Sequence, residues 1–292
     1  MAQINARRGA TVGRGGSKLQ KRIGDFFVYL VLSVFGILFM LPFAWMVVNS
    51  FKTIKGIYQF PPSFIPDSFE WRNYLEAWNA APFGIFSMNS VIVSVAVVLG
   101  QLFTASLAGY AFARLRFPGR DKIFLLYLST LMVPFTVLLI PLFVQMRAFG
   151  WVNTLLPVIV PFLFTPWGTF MMRQFMSTLP RDLEDAARID GCGFFKTYWY
   201  IILPLTKPAL TTLAIFTFVS SWNNFQWPMI VLGTNDVKTL PLGLASFQAL
   251  SAMRTPWHLI MAAATFIVIP VLIIFVLGQK YYVRGIVTSG IK

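Results

Sequence analysis

Four of the chain's ten carboxylates, Asp182, Glu184, Asp185 and Asp190, fall within nine consecutive positions of a sequence whose formal net charge is +14. Carboxylates gathered in this way bind a metal, do acid–base chemistry or dock onto a partner. The first two uses need companions that are missing: the one histidine, His258, and the one cysteine, Cys192, do not stand at metal-ligand spacing from the acids or make a catalytic pair with them. Docking remains. In the segment DLEDAARIDG, Asp182 is placed to N-cap a helix, Asp185 to complete a capping box three residues on, and Gly191 to end the helix after about two turns. Ala186 and Ala187 would let a partner approach the backbone, with Arg188 and Asp190 as charged edges. The alternative is an acidic helix that is simply solvated.

A second set of polar residues lies in an apolar setting. Ser220, Asn223, Asn224 and Trp227 share one face at i, i+3, i+4 and i+7 if their segment is helical. Amides hydrogen-bond hydroxyl groups and indole rings stack on apolar C–H faces, so such a face suits a sugar in a water-filled path. Gln101 and Asn89 are further candidates, with Thr104 and Ser106 weaker. The competing reading is that these groups join helices to one another by hydrogen bonds.

The elements that carry both sets belong in a bilayer. Hydrophobic residues make up 57% of the chain and charged residues only 12%, too little polar surface for a soluble globule of 292 residues. A span needs about 20 apolar residues. The sequence offers six candidates: 26–48, 88–113, 123–146, 155–172, 206–232 and 259–279. Pro157, Pro161 and Pro166 crowd the fourth and should kink it or delay its start. The expected fold is an all-α polytopic membrane protein, with a basic tail over 1–25 and a single transmembrane domain over 26–292. With an N-terminal tail in the cytoplasm, 18 of the 24 Lys and Arg residues lie on that side. Both termini and the acidic segment should therefore be cytoplasmic. This topology and anionic lipid account for the net charge without a nucleic acid. The first span is too long for a cleaved signal sequence and has no A-x-A-like exit.

The acidic segment also carries a resemblance. Asp185-Ala186-Ala187, Asp190-Gly191, Leu203-Pro204 and Pro208, in that order and spacing, resemble the EAA loop of inner-membrane permeases of ABC importers. Two letters depart from the pattern, Asp185 for the usual Glu and Cys192 for the usual Ala. The run from Ala105 to Arg114, Phe117-Pro118-Gly119, Trp222-Asn223, Thr239-Leu240-Pro241 and the closing residues 279–285 extend it toward carbohydrate-uptake permeases of the maltose-transporter type. The resemblance implies six spans of the type I importer kind and a coupling loop over about 180–205 that sits in a cleft of a cytoplasmic ATPase. Asp182, Glu184, Asp185, Ala186, Ala187, Arg188, Asp190, Gly191 and Pro204 would serve that coupling. It also implies a second related permease, a dimeric ATPase that binds ATP and Mg, an extracytoplasmic solute-binding protein and no cofactor or metal on this chain.

The sequence itself limits other functions. No Asp, Glu, Lys or Arg lies at mid-membrane depth, where a proton-coupled carrier needs one. No G-x-x-x-x-G-K-[S/T] phosphate loop is present. A permease without its own energy source fits both observations. A gradient-driven carrier or channel remains the alternative, as does a permease for glycerol phosphate or another polyol.

Overall fold

The computed structural model describes residues 18–66, 68–250 and 255–289; most of the basic tail lies outside them. The described residues are helical throughout their regular parts. Helix α1 (Lys18–Ser50) is followed by short α2 (Ile54–Ile57) and α3 (Arg72–Ala80), then by the long α4 (Phe83–Arg114). Next come α5 (Arg120–Ser129), α6 (Phe135–Ala148), α7 (Leu156–Ile159) and α8 (Pro166–Ser177). The acidic segment forms α9 (Asp182–Ile189). It leads through α10 (Phe194–Thr197) and α11 (Leu203–Leu205) to α12 (Lys207–Trp222), α13 (Gln226–Val231), α14 (Leu240–Leu250) and α15 (Trp257–Ser289).

Among the described residues, three helices are long and apolar enough to cross a bilayer unaided, over Arg22–Ser50, Phe83–Arg114 and Trp257–Gln279. The expected third span is not one helix. It turns through 97° between Met132 and Phe135, because Pro134 has no N–H for the ladder and forces Val133 into an extended conformation (ψ 115°). The fourth breaks where its prolines fall, as α7, a 3-10 turn over Val160–Phe162, and α8. The fifth starts at a 76° bend between Leu205 and Lys207, and its helix ends at Trp222 rather than running to Leu232. Short half-helices of this kind keep their backbone satisfied at membrane depth only where protein covers them or they line a cavity.

Helix α4 is the spine of the bundle. Near its start, Phe83 and Phe86 pack with Trp222, Leu240 and Phe247; further along, Val93 and Val97 meet Val158, Trp227 and Val231. At its far end, Ala105, Tyr110 and Ala113 pack against Met172, Met176, Tyr198 and Leu213. The outside stays apolar: Phe26, Phe35 and Phe39 of α1 are exposed, as side chains facing lipid should be.

Small residues set the closeness of α4 to α8. A Cβ placed on Gly109 would lie 2.6 Å from Cβ of Met172 and 3.0 Å from the backbone nitrogen of Arg173, the close approach that small residues permit between membrane helices. Gly109→Val is expected to force these helices apart at a cost of about 1–3 kcal/mol. The measurement is the unfolding temperature of the purified protein in detergent, which should fall.

Candidate functional site

Arg181, just before α9, has helical dihedrals (φ −75°, ψ −24°) and makes no capping hydrogen bond through its side chain. Its carbonyl already accepts from the amides of Glu184 and Asp185 at 2.8 and 3.1 Å. Asp182 is therefore inside the first turn and not its N-cap, and the expected capping box does not form. The acids there still face the positive end of the helix dipole. The C-terminal stop forms as its sequence requires. Gly191 adopts φ +77°, its amide donates to the Arg188 carbonyl at 3.0 Å, and the Cys192 amide donates to the Ala187 carbonyl at 2.8 Å. That pair of bonds is a Schellman motif, which needs a left-handed residue at the glycine position.

The helix has two faces. Asp182, Asp185, Ala186 and Ile189, at i, i+3, i+4 and i+7, are exposed, and Ile189 is 87% exposed. Arg188, Asp190 and Gly191 are exposed as well. Glu184 and Ala187 are buried against their own chain. Glu184 faces Arg114 at the end of α4, with Nε to Oε1 at 3.5 Å and side-chain exposures of 11% for the glutamate and 3% for the arginine. Arg114 also donates from Nη2 to the Leu179 carbonyl at 2.6 Å. The motif alone groups Glu184 and Ala187 with the outward residues and passes over Ile189. The same helical period, continued one step past Ala186, marks it.

From α9 the chain reaches α12 through an irregular joint. A π-helical turn spans Tyr198–Ile202, then Leu203-Pro204 begin α11, and the bend falls at the buried Thr206, whose hydroxyl donates to the Leu203 carbonyl at 2.8 Å. Single π turns inside helices recur at functional positions. Tyr198 is anchored to α4, its hydroxyl sharing a hydrogen bond of 2.8 Å with that of Ser106.

Beyond this joint, α4, α7, α8, α12 and α13 line a half-open cavity of about 310 Å³, at the small end of ligand-pocket volumes, about 300–1,000 Å³. Its polar lining comes from Gln101, Thr165, Thr217, Ser220, Ser221, Asn224 and Thr239, and every lining residue is uncharged. Trp167 and Phe216 form an aromatic wall, packed edge to face at 5.5 Å between centroids. Gln101 is committed on both sides: its amide nitrogen donates to the Phe162 carbonyl at 2.8 Å, and its oxygen accepts from the Thr217 hydroxyl at 2.7 Å.

Not every expected path residue reaches this cavity. Because α12 stops at Trp222, residues 223–225 are not helical and the proposed common face does not exist. Trp227 is fully buried in the core, and its indole N–H donates to the Pro157 carbonyl at 2.9 Å. Asn223 turns back to the Val219 carbonyl at 2.9 Å. Asn89 is buried near the start of α4 and holds the carbonyls of Asp236 and Lys238 at 2.9 and 3.0 Å. Thr104 and Ser106 bond to the backbone of Leu163 and Leu102. Ser220, Asn224 and Gln101 do line the cavity. Trp167, Thr165 and Phe216 are not singled out by sequence spacing, although the proline-broken segment is a usable signal, since interrupted helices often frame a membrane protein's solute site.

Comparison with known proteins supplies an independent line. Residues 101–288 match the family model described as the binding-protein-dependent transport system inner membrane component. An arabinooligosaccharide transport system permease protein, AraQ, of Halalkalibacterium halodurans is 41% identical over 204 residues, 70% of this chain and 72% of that protein. The sn-glycerol-3-phosphate transport system permease protein UgpE of Yersinia pestis is 31% identical over 91% of this chain and 96% of its own length. A probable ABC transporter permease of Bacillus subtilis, YurM, is 33% identical over 92% and 89% of the two chains. A chain in the crystal structure of a bacterial ABC transporter involved in import of the acidic polysaccharide alginate shares the fold, with a TM-score of 0.79, 23% identity, and coverage of 91% of this chain and 98% of that one.

Proposed function

The chain belongs to the family of inner-membrane components of binding-protein-dependent transport systems, and from that membership we propose that its cavity passes a neutral, polyhydroxylated solute of the sugar class. It is a membrane permease subunit of an ABC importer and not an enzyme. The observation that carries the cargo class is the lining: hydroxyls and amides beside a Trp–Phe wall, with no charged side chain to meet a phosphate ester. The name of the arabinooligosaccharide relative supports a sugar, whereas that of the glycerol phosphate relative fits an uncharged lining poorly.

In this reading each bent helix pair is one span, the broken segment over 156–177 completes six, and both termini lie in the cytoplasm with α9. The exposed face of α9, Asp182, Asp185, Ala186 and Ile189, docks in a dimeric ATPase that binds ATP and Mg, and Arg188, Asp190 and Gly191 border it. Pro204 helps fix the joint through which α9 moves α12. A second, related permease completes the path and an extracytoplasmic binding protein delivers the solute. Alternating access then results from ATP-driven displacement of α9, a coupling that requires contacts differing between two states.

Purification of the chain from its native membrane in mild detergent tests the assembly. A second permease and an ATPase should co-purify, and Asp185→Lys should lose the ATPase while keeping the permease, since reversing one charge in a desolvated contact costs about 2–5 kcal/mol. A chain that purifies alone and still moves solute in liposomes would show a self-sufficient carrier or channel instead.

A further inference from the structure

We propose that Arg114 and Glu184 form the joint that carries displacement of α9 directly into α4, the span that lines the solute cavity. The proposal rests on the permease function inferred for the chain. Along the chain, α9 is connected forward to α12 only through the π turn and the bend at Thr206, and α4 is far away in sequence. The side chain of Arg114 shortens that route. Its guanidinium holds the Leu179 carbonyl just before α9, at 2.6 Å, and faces Glu184 inside α9, at 3.5 Å. Holding the loop on both sides of the helix start prevents α9 from pivoting without moving the end of α4.

The choice of residues points the same way. An ion pair this buried is weak evidence for stability, because desolvation offsets most of the attraction, and an apolar pair would pack as firmly; its best-attested use is to fix register or bias a switch. Arg114 Nε and Glu184 Oε1 are buried without another hydrogen-bond partner, so parting them would leave two buried charges uncompensated, and the end of α4 follows α9 at a lower cost than opening the contact. At its other end, α4 carries the effect to the solute cavity through Gln101, which ties it to Phe162 and Thr217. Glu184 and Arg114 are thus positioning residues.

The test uses the assembled importer in lipid nanodiscs and proteoliposomes, with uptake and ATP hydrolysis measured together. Glu184→Gln keeps shape and removes the charge. The expected result is that the ATPase stays bound and hydrolysis continues, while solute moved per ATP falls about tenfold, within the roughly 5- to 150-fold range of such couplings. An unchanged ratio of uptake to hydrolysis would overturn the proposal, and so would release of the ATPase, which would make Glu184 a docking residue. A second variant guards against misfolding: Arg114→Cys with Glu184→Cys, in a Cys192→Ser background. Bridging the two thiols with a short bis-thiosulfonate reagent should restore uptake relative to the unbridged protein. Failure to restore it would show that the contact must open during the cycle and is not a rigid joint. If the unaltered chain brings down no ATPase, the permease function fails and not this joint alone.

Discussion

Gly191→Pro is expected to abolish uptake in the reconstituted importer while the chain still inserts in the membrane. Gly191 sits at φ +77°. Proline is fixed near φ −65° and has no amide to donate to Arg188, so the Schellman motif is lost on both counts, at a cost of about 3 kcal/mol or more. No atom lies within 4 Å of a Cβ added there, so the effect is conformational and not steric. A graded series is expected: Gly191→Asn, which tolerates the left-handed region, should transport best, and Gly191→Ala, with a penalty of about 1–2 kcal/mol, should fall between Asn and Pro. Insertion is checked by protease protection and uptake by labelled solute. Equal uptake by the proline and glycine forms would mean that the end of α9 does not shape the docking surface.

Filling the cavity should have an effect as large and of a different kind. Ser220→Trp places an indole into a space of about 310 Å³ and is expected to stop uptake, although α9 and the face proposed to dock are untouched. Co-purification of the ATPase should therefore persist. Asn224→Ala, which removes one amide from the lining, should weaken uptake by about 5- to 30-fold, the loss expected for one or two hydrogen bonds of about 1 kcal/mol each. Uptake undiminished in Ser220→Trp would move the solute path to another part of the subunit. The contrast matters: Gly191→Pro should disturb coupling with the cavity intact, and Ser220→Trp the reverse.

The segment between α1 and α4, with Pro61, Pro62 and Pro66, illustrates how composition falls short of placement. Trp71, Tyr74 and Trp78 are at home either in a membrane interface or on a receptor platform. The structure gathers Phe69, Trp71 and Tyr74 around Phe51, and Asn73 donates to the carbonyls of Ser50 and Lys52. Trp71 remains largely exposed while Tyr74 is bonded to Ser50. These neighbours are set by contacts that the local sequence does not encode.

By itself, the sequence determined the features whose physics is local or compositional. A bilayer's thickness and the cost of unpaired backbone in lipid turn apolar content into helices. The prolines at 157, 161 and 166 mark where the fourth segment breaks; the sharp turn at Pro134 is not legible in the same way, since Pro42, Pro141 and Pro270 stand inside continuous helices. The stop at Gly191 was legible because a left-handed residue and two backbone bonds lie within six positions. Tertiary structure decided which way side chains point. Glu184 turns inward because Arg114, 70 positions earlier, ends α4 beside it. Trp227 belongs to the core because α12 stops at Trp222 and the chain changes direction before α13. Trp167 and Phe216 meet as one wall only when α8 packs beside α12. Helical spacing assigns residues to faces, but which face meets protein, partner or solute depends on packing between segments far apart in the chain.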